Sequence, residues 1–125
     1  MMSKGRSFGE FFQELRIRQG KTLRKFCSEN GFDPGNISKL ERGILPPPQA
    51  GEKLEAYAGA LGLKDGGDEW YEFFDLAAAE AGTIPADMAR DERIVSRLPV
   101  FFRTLRDKKL SGKQLDDLIE KIKKA

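Results

Sequence analysis

The sequence predicts an all-α protein on three counts. Apolar residues recur at helical spacing along most of its 125 residues, capping residues precede those stretches, and no alternating run rich in β-branched residues interrupts them. In "FGEFFQELRIRQG", Phe8, Phe11, Phe12, Leu15 and Ile17 fall near one stripe, with Glu10, Gln13, Glu14, Arg16 and Arg18 on the other sides. Gly20 supplies a left-handed closure. Thr22 caps a second helix, "LRKFCSEN", in which Leu23, Phe26 and Cys27 share a side, and Gly31 permits the sharp turn that follows. Asp33 caps a third, with Pro34 at the first helical position, where a missing N–H costs nothing. Ile37 and Leu40 face inward and Gly43 ends that helix. "ILPPPQ" is then an extended connector, because consecutive prolines cannot occupy a helix interior.

From about Pro48 the pattern is helical again. A fourth helix within "QAGEKLEAYAGALGL" turns Leu54, Tyr57, Ala58 and Leu61 to one side. A fifth, within "KDGGDEWYEFFDLAAAEAG", is capped by Asp68 and aligns Trp70, Phe73, Phe74 and Ala77. Five helices closing on one core make residues 1–82 the first expected domain. Gly82 and Pro85 break the chain, and residues 83–125 form an extension of two to three helices, clearest in "SRLPVFFRTLRDKK" and "SGKQLDDLIEKIKKA". Ser111 and Gln114 make a capping box ahead of Leu115, Leu118, Ile119 and Ile122, while Leu98, Val100, Phe101, Phe102 and Leu105 cover more than one side of the preceding helix. A short appendage cannot bury that much apolar surface alone. Leu98, Phe101, Phe102, Leu105, Leu115, Leu118, Ile119 and Ile122 are therefore the candidate dimerisation residues, with packing on the chain's own first domain as the competing reading.

Composition removes whole classes of function. With 39% hydrophobic and 34% charged residues the chain is neither a disordered tail nor a fibre. Its apolar runs, such as "YAGALGL" and "LPVFF", fall far short of the ~20 residues of a membrane span, and "MMSKGRSFGE" lacks the apolar stretch of a secretory signal. No membrane partner is expected, and the expected location is the cytoplasm. One cysteine cannot form an internal disulfide, and the absence of histidine removes the usual zinc sets and histidine acid/base chemistry, so neither cofactor nor enzymatic activity is expected. Cys27 has the spacing of a packing residue; a redox role would need an exposed thiolate, for which only the neighbouring Arg24 and Lys25 argue.

Charge is segregated along the chain. Residues 1–45 carry nine Lys/Arg against five Asp/Glu, residues 46–82 two against eight, and residues 83–125 eleven against seven. A solvated surface accounts for such blocks as readily as a binding face does. The local architecture separates the two. Short helices joined by a three- or four-residue turn with Gly, the second capped and Pro-initiated, have the form of a helix-turn-helix, whose second helix enters the major groove by its N-terminal end. Pro34, Gly35, Asn36 and Lys39 would form that tip, with Phe32, Ile37 and Leu40 behind it.

From Phe8 to about Leu63 the chain resembles the phage-repressor-type, Xre-family helix-turn-helix regulators. The hallmark run appears as Ser38, Lys39, Leu40, Glu41, Arg42 and Gly43, and Thr22, Phe26, Cys27, Gly31, Phe32, Pro34 and Ile37 stand at matching offsets. Cys27 occupies a slot where the family usually has Ala, and Asn30 one where an apolar residue is common. The resemblance implies a five-helix domain that binds double-stranded DNA as a homodimer on a palindromic operator, most often as a repressor. On that reading Asn36 and Lys39 are the candidates for base edges, Gly35 allows close approach of the backbone, and Arg24, Lys25, Ser38 and Arg42 contact phosphates. Glu41, which phosphates would repel, is expected to make an internal ion pair. "AAAEAG", "IPADMARDERIV" and "RLPVFFRTLRDKK" resemble the C-terminal segment of Xre-type regulators paired with ImmA/IrrE-type metallopeptidases, which implies such a peptidase as a partner. An antitoxin that uses residues 83–125 to hold a toxin protein is the alternative, and a purely protein-binding module a third class.

Overall fold

The computed structural model describes residues 6–49 and 51–125 and is all-helical, with no strand among the described residues. The chain divides after Pro85 into two compact units, Arg6–Pro85 and, among the described residues, Ala86–Ala125. The first unit contains α1 (Phe8–Arg18), α2 (Leu23–Asn30), α3 (Pro34–Glu41), α4 (Gly51–Ala60) and α5 (Asp68–Ala81).

Side chains satisfy the helix N-termini much as the sequence predicts. The Thr22 hydroxyl accepts the Lys25 N–H at 3.1 Å, and Asp33 accepts the Asn36 N–H at 2.8 Å ahead of Pro34. Ser7 and Glu10 form a reciprocal capping box on α1 that the sequence reading passed over. Asp68 is not the cap of α5: Gly67 occupies that position without a side-chain bond, and Asp68 is the first helical residue, where its charge still favours the helix N-terminus. Ala50, which the sequence reading places in the fourth helix, lies outside the described residues, and α4 starts at Gly51.

Helix α1 is the centre of this unit, packing on α3 and α5, while α2 packs on α3 and α4 on α5. Phe8, Phe11, Phe12, Phe26 and Phe73 are fully buried together with Ile37 and Cys27. Phe12 meets Phe26 and Tyr57 edge-on at 5.8 and 5.4 Å, and Phe8 lies 4.7 Å from Phe73. Such contacts add to the ~1.5–3 kcal/mol that burying a large apolar side chain contributes. Leu15, Leu40, Leu54, Ala58, Leu61 and Ala77 complete the core, with Leu23, Phe32, Trp70 and Phe74 partly buried at its edge. Ile17 does not join them; two positions past Leu15 it sits about 200° round the helix and is 58% exposed.

Arg16 departs furthest from the sequence reading, which set it on the outer side of α1. It is buried, because the end of α3 crosses the edge of the stripe there and brings Glu41 with it. The guanidinium donates to both Glu41 oxygens, at 2.7 and 2.9 Å, and to the Lys21 carbonyl at 2.8 Å. The internal ion pair expected of Glu41 is thus present, with Arg16 as its partner. About two turns earlier, the backbones of α1 and α3 nearly touch at Gly9. A Cβ there would stand 2.4 Å from the Leu40 carbonyl oxygen and 2.7 Å from that of Glu41.

The second unit has α6 (Ala86–Ala89), α7 (Glu92–Val95), α8 (Leu98–Lys108) and α9 (Gly112–Lys124). Two single-turn helices thus occupy "ADMARDERIV", where the sequence reading saw only a break before its two clear helices. Asp91 caps α7 through the Arg93 N–H at 2.9 Å, and Ser111 and Gln114 form the expected capping box on α9. No side chain of this unit is buried. Leu98, Leu105 and Leu118 are half-buried, whereas Phe101, Phe102, Leu115, Ile119 and Ile122 are exposed.

Replacing Glu41 by Ala should strand the Arg16 charge in the core and lower the unfolding free energy by ~3–5 kcal/mol. The double variant Arg16→Met/Glu41→Leu, which removes both charges, should recover most of that loss; urea unfolding midpoints of the two variants provide the comparison.

Candidate nucleic-acid interface

Two helices of eight residues each, α2 and α3, meet across Gly31, Phe32 and Asp33. Gly31 turns the chain with a φ of 70°, a conformation costly to any residue with a Cβ, and the Phe32 N–H closes the turn on the Cys27 carbonyl at 2.9 Å. Phe32 is anchored by rings on both sides, Phe26 at 5.8 Å and Tyr57 at 5.0 Å. Asn30, in a slot that suits an apolar residue, turns its amide back to the Phe26 carbonyl at 2.8 Å and so satisfies itself within its own helix. The turn is therefore fixed by ring packing and backbone bonds.

With Ile37 and Leu40 buried beneath it, α3 presents its other side to solvent. Pro34, Gly35, Asn36, Lys39 and Arg42 are exposed and Ser38 is half-buried; on α2, Arg24 and Lys25 are exposed. Every residue expected to contact DNA is thus accessible on this helix pair or at its edge. The Arg42 Nε donates to the Ser38 carbonyl at 3.3 Å, so its guanidinium lies back along α3. The Asn36 side chain remains available, since the contact with Asp33 uses its backbone N–H. At Gly35 a Cβ would come within 3.2 Å of the capping Asp33 oxygen, so the bare backbone keeps that cap unobstructed.

The cations of the first 45 residues divide into two sets. Arg6 pairs with Glu14 and Glu72, Arg16 with Glu41, Arg18 with Glu69 and Lys21 with Glu29. Hydrogen bonds donated to Glu72 and Glu69 hold the Arg6 and Arg18 guanidinium pKa values above the usual level, and the bond that Glu29 accepts from Lys21 lowers its own. Arg24, Lys25, Lys39 and Arg42 make no ion pair among the described residues. Lys4, the remaining cation of this segment, lies outside those residues. What looked in the sequence like one basic block is a structural set on α1 and the segments that flank it, plus an unpaired set on α2 and α3 or at their edge. Sequence reasoning had no signal for this division, since carboxylates as distant in the chain as Glu69 and Glu72 create it.

Cys27 lies beneath this surface, fully buried. Burial pushes its thiol pKa up, assisted by the nearby Glu41 and opposed by Arg16. A protonated, inaccessible thiol is a packing residue.

Among the described residues, no three His, Cys, Asp or Glu side chains gather as metal ligands, and no helix is long and apolar enough to cross a membrane. Cys27 should resist alkylation by iodoacetamide at pH 8 in the native protein and react to completion in denaturant; mass spectrometry of the two samples gives the comparison. No protein-family model, curated protein or solved structure matches the chain.

Proposed function

We propose that the chain is a sequence-specific DNA-binding transcriptional regulator, a repressor that reads a palindromic operator as a homodimer. The carrying observation is the set of unpaired cations on α2 and α3, Arg24, Lys25, Lys39 and Arg42, in a segment whose other described cations all have carboxylate partners. Such charges, held on a rigid convex helix pair, suit the phosphate backbone, whose neutralisation releases condensed counterions. The helix-turn-helix form adds sequence reading. In this mode α3 lies in the major groove with its first residues at the base edges, while α2 crosses the backbone.

Lys39, one turn into α3, suits the O6/N7 edge of guanine, and Asn36 suits adenine. Arg24, Lys25, Ser38 and Arg42 set the register on phosphates. Arg42 would exchange its bond to the Ser38 carbonyl for a phosphate. The proposed role is binding and not catalysis, in keeping with a chain that contains no histidine. The exposed apolar residues of α8 and α9 also favour a second reading, an antitoxin that clamps a toxin protein with its C-terminal unit and regulates its own gene through the same helices. A metallopeptidase that acts on this unit would be a partner under either reading.

Selection of bound sequences from random duplex DNA tests the proposal. Full-length protein should enrich a palindrome, and a fragment ending at Gly82 should enrich half-sites or nothing; no enrichment with either would remove the DNA-reading function. On the selected site Lys39→Ala should cost ~1–3 kcal/mol and relax base choice at a single position, as measured by binding titrations against a panel of single-base variants. Arg42→Ala should instead weaken binding evenly on all sequences and reduce the slope of log K against log salt by about one.

A further inference from the structure

Helix α9 carries a charge pattern that selects its own copy. Along its stripe Leu118 is half-buried, while Leu115 is 39%, Ile119 42% and Ile122 64% exposed. Past Lys113, the charged residues beside that stripe run Asp116, Asp117 and Glu120, then Lys121, Lys123 and Lys124. Asp117 and Glu120 have partners within α9, Lys113 and Lys123 respectively, but Asp116 makes no ion pair among the described residues.

We infer, building on the dimer reading above, that α9 packs antiparallel against α9 of a second copy of this chain. Antiparallel alignment about a twofold axis between positions 118 and 119 sets Leu115 opposite Ile122 of the other copy, and Leu118 opposite its Ile119. The apolar stripe is therefore complementary to itself, as a twofold interface requires. Asp116 and Lys123 are seven residues apart, about two turns, and so lie along the same edge of the stripe. In an antiparallel pair equivalent edges meet, which brings Asp116 of each copy beside Lys123 of the other. A parallel pair would join opposite edges and set Lys123 beside Lys121, a like-charge contact. The opposed helix dipoles favour the antiparallel arrangement further.

Lipid is a poorer occupant of this face. An interfacial helix bound to anionic headgroups carries a mainly basic polar side, whereas α9 mixes three carboxylates with its four lysines. One helix pair falls short of the ~1,600 Å² typical of a stable interface. Phe101 and Phe102 of α8, 47% and 45% exposed in the same unit, supply further apolar area.

Cross-linking of the full chain without DNA tests the pairing, and it stands independently of whether an operator exists. Leu115→Cys and Ile122→Cys are made singly; the native Cys27 is buried and does not interfere. Mixed and mildly oxidised, the two variants should form a disulfide dimer, whereas each alone should not. Antiparallel alignment separates a residue at 115 or 122 from its own equivalent by about 10 Å along the axis, beyond the ~7 Å Cα reach of a disulfide. Leu118→Cys, next to the axis, should link to itself. Light scattering of the unmodified chain should give twice its 14.0 kDa mass. Self-linking of the 115 and 122 variants would overturn the antiparallel arrangement, and a dimer with no link through α9 would place the interface elsewhere. A monomer at tens of micromolar, including one that floats with phosphatidylcholine/phosphatidylglycerol vesicles, would remove self-pairing altogether.

Discussion

The position of α3 depends on its joint with α1. At Gly9 the two backbones meet with no room for a Cβ, and about two turns further along α1 the Arg16 guanidinium grips both oxygens of Glu41 at the last residue of α3. Steric contact sets how close the helices lie, and a two-pronged charge-assisted bond sets their register. A buried ion pair adds little net stability compared with an apolar pair of the same volume, but it tolerates few alternative geometries. Precision in the placement of α3 is what that joint contributes.

The aromatic core then decides which side of α3 faces out. Phe12 touches Phe26, Tyr57 and Phe73, so one side chain of α1 links α2, α4 and α5. Ile37 and Leu40 are drawn under α3 by the same core, which leaves Asn36 and Lys39 on the surface. Electrostatics follows from this packing. Helix α5 delivers Glu69 and Glu72 to Arg18 and Arg6, and the Glu80 carboxylate receives the Phe8 N–H at 2.7 Å. Acids surplus in residues 46–82 thus neutralise Arg18 of α1 and Arg6 ahead of it, and positive charge survives unpaired on α2 and α3. Individually these exposed pairs contribute little to stability. Their consequence is the distribution of charge on the surface.

The Ala86–Ala125 unit obeys different physics. Side chains cap α7 and α9, and α9 is strongly two-sided, yet no side chain in the unit is buried. Local signals are sufficient to form such helices, and burial of the apolar stripes then requires another surface.

Much of this was legible in the sequence because it is local. Caps at Thr22, Asp33 and Ser111, the turn at Gly31 and the stripes of α1, α3 and α9 each depend on residues within a few positions of one another. All of the proposed DNA-contacting positions could be placed on the outer side of α2 and α3 or at its edge by periodicity alone, and they are there. Errors arose where the outcome depended on a distant or finely placed neighbour. Ile17 lies beyond the edge of a stripe too short to mark that edge, and Gly67 rather than Asp68 caps α5 because helix ends are set by a residue or two. Arg16 is buried because Glu41, distant in sequence, reaches it, and Gly9 is indispensable only because α3 crosses there. Which cations keep their charge free for a partner was likewise decided by tertiary structure, since the ion pairs of Arg6 and Arg18 with α5 join residues more than fifty positions apart. Sequence periodicity specifies the faces of helices; only their packing determines which charges on those faces meet.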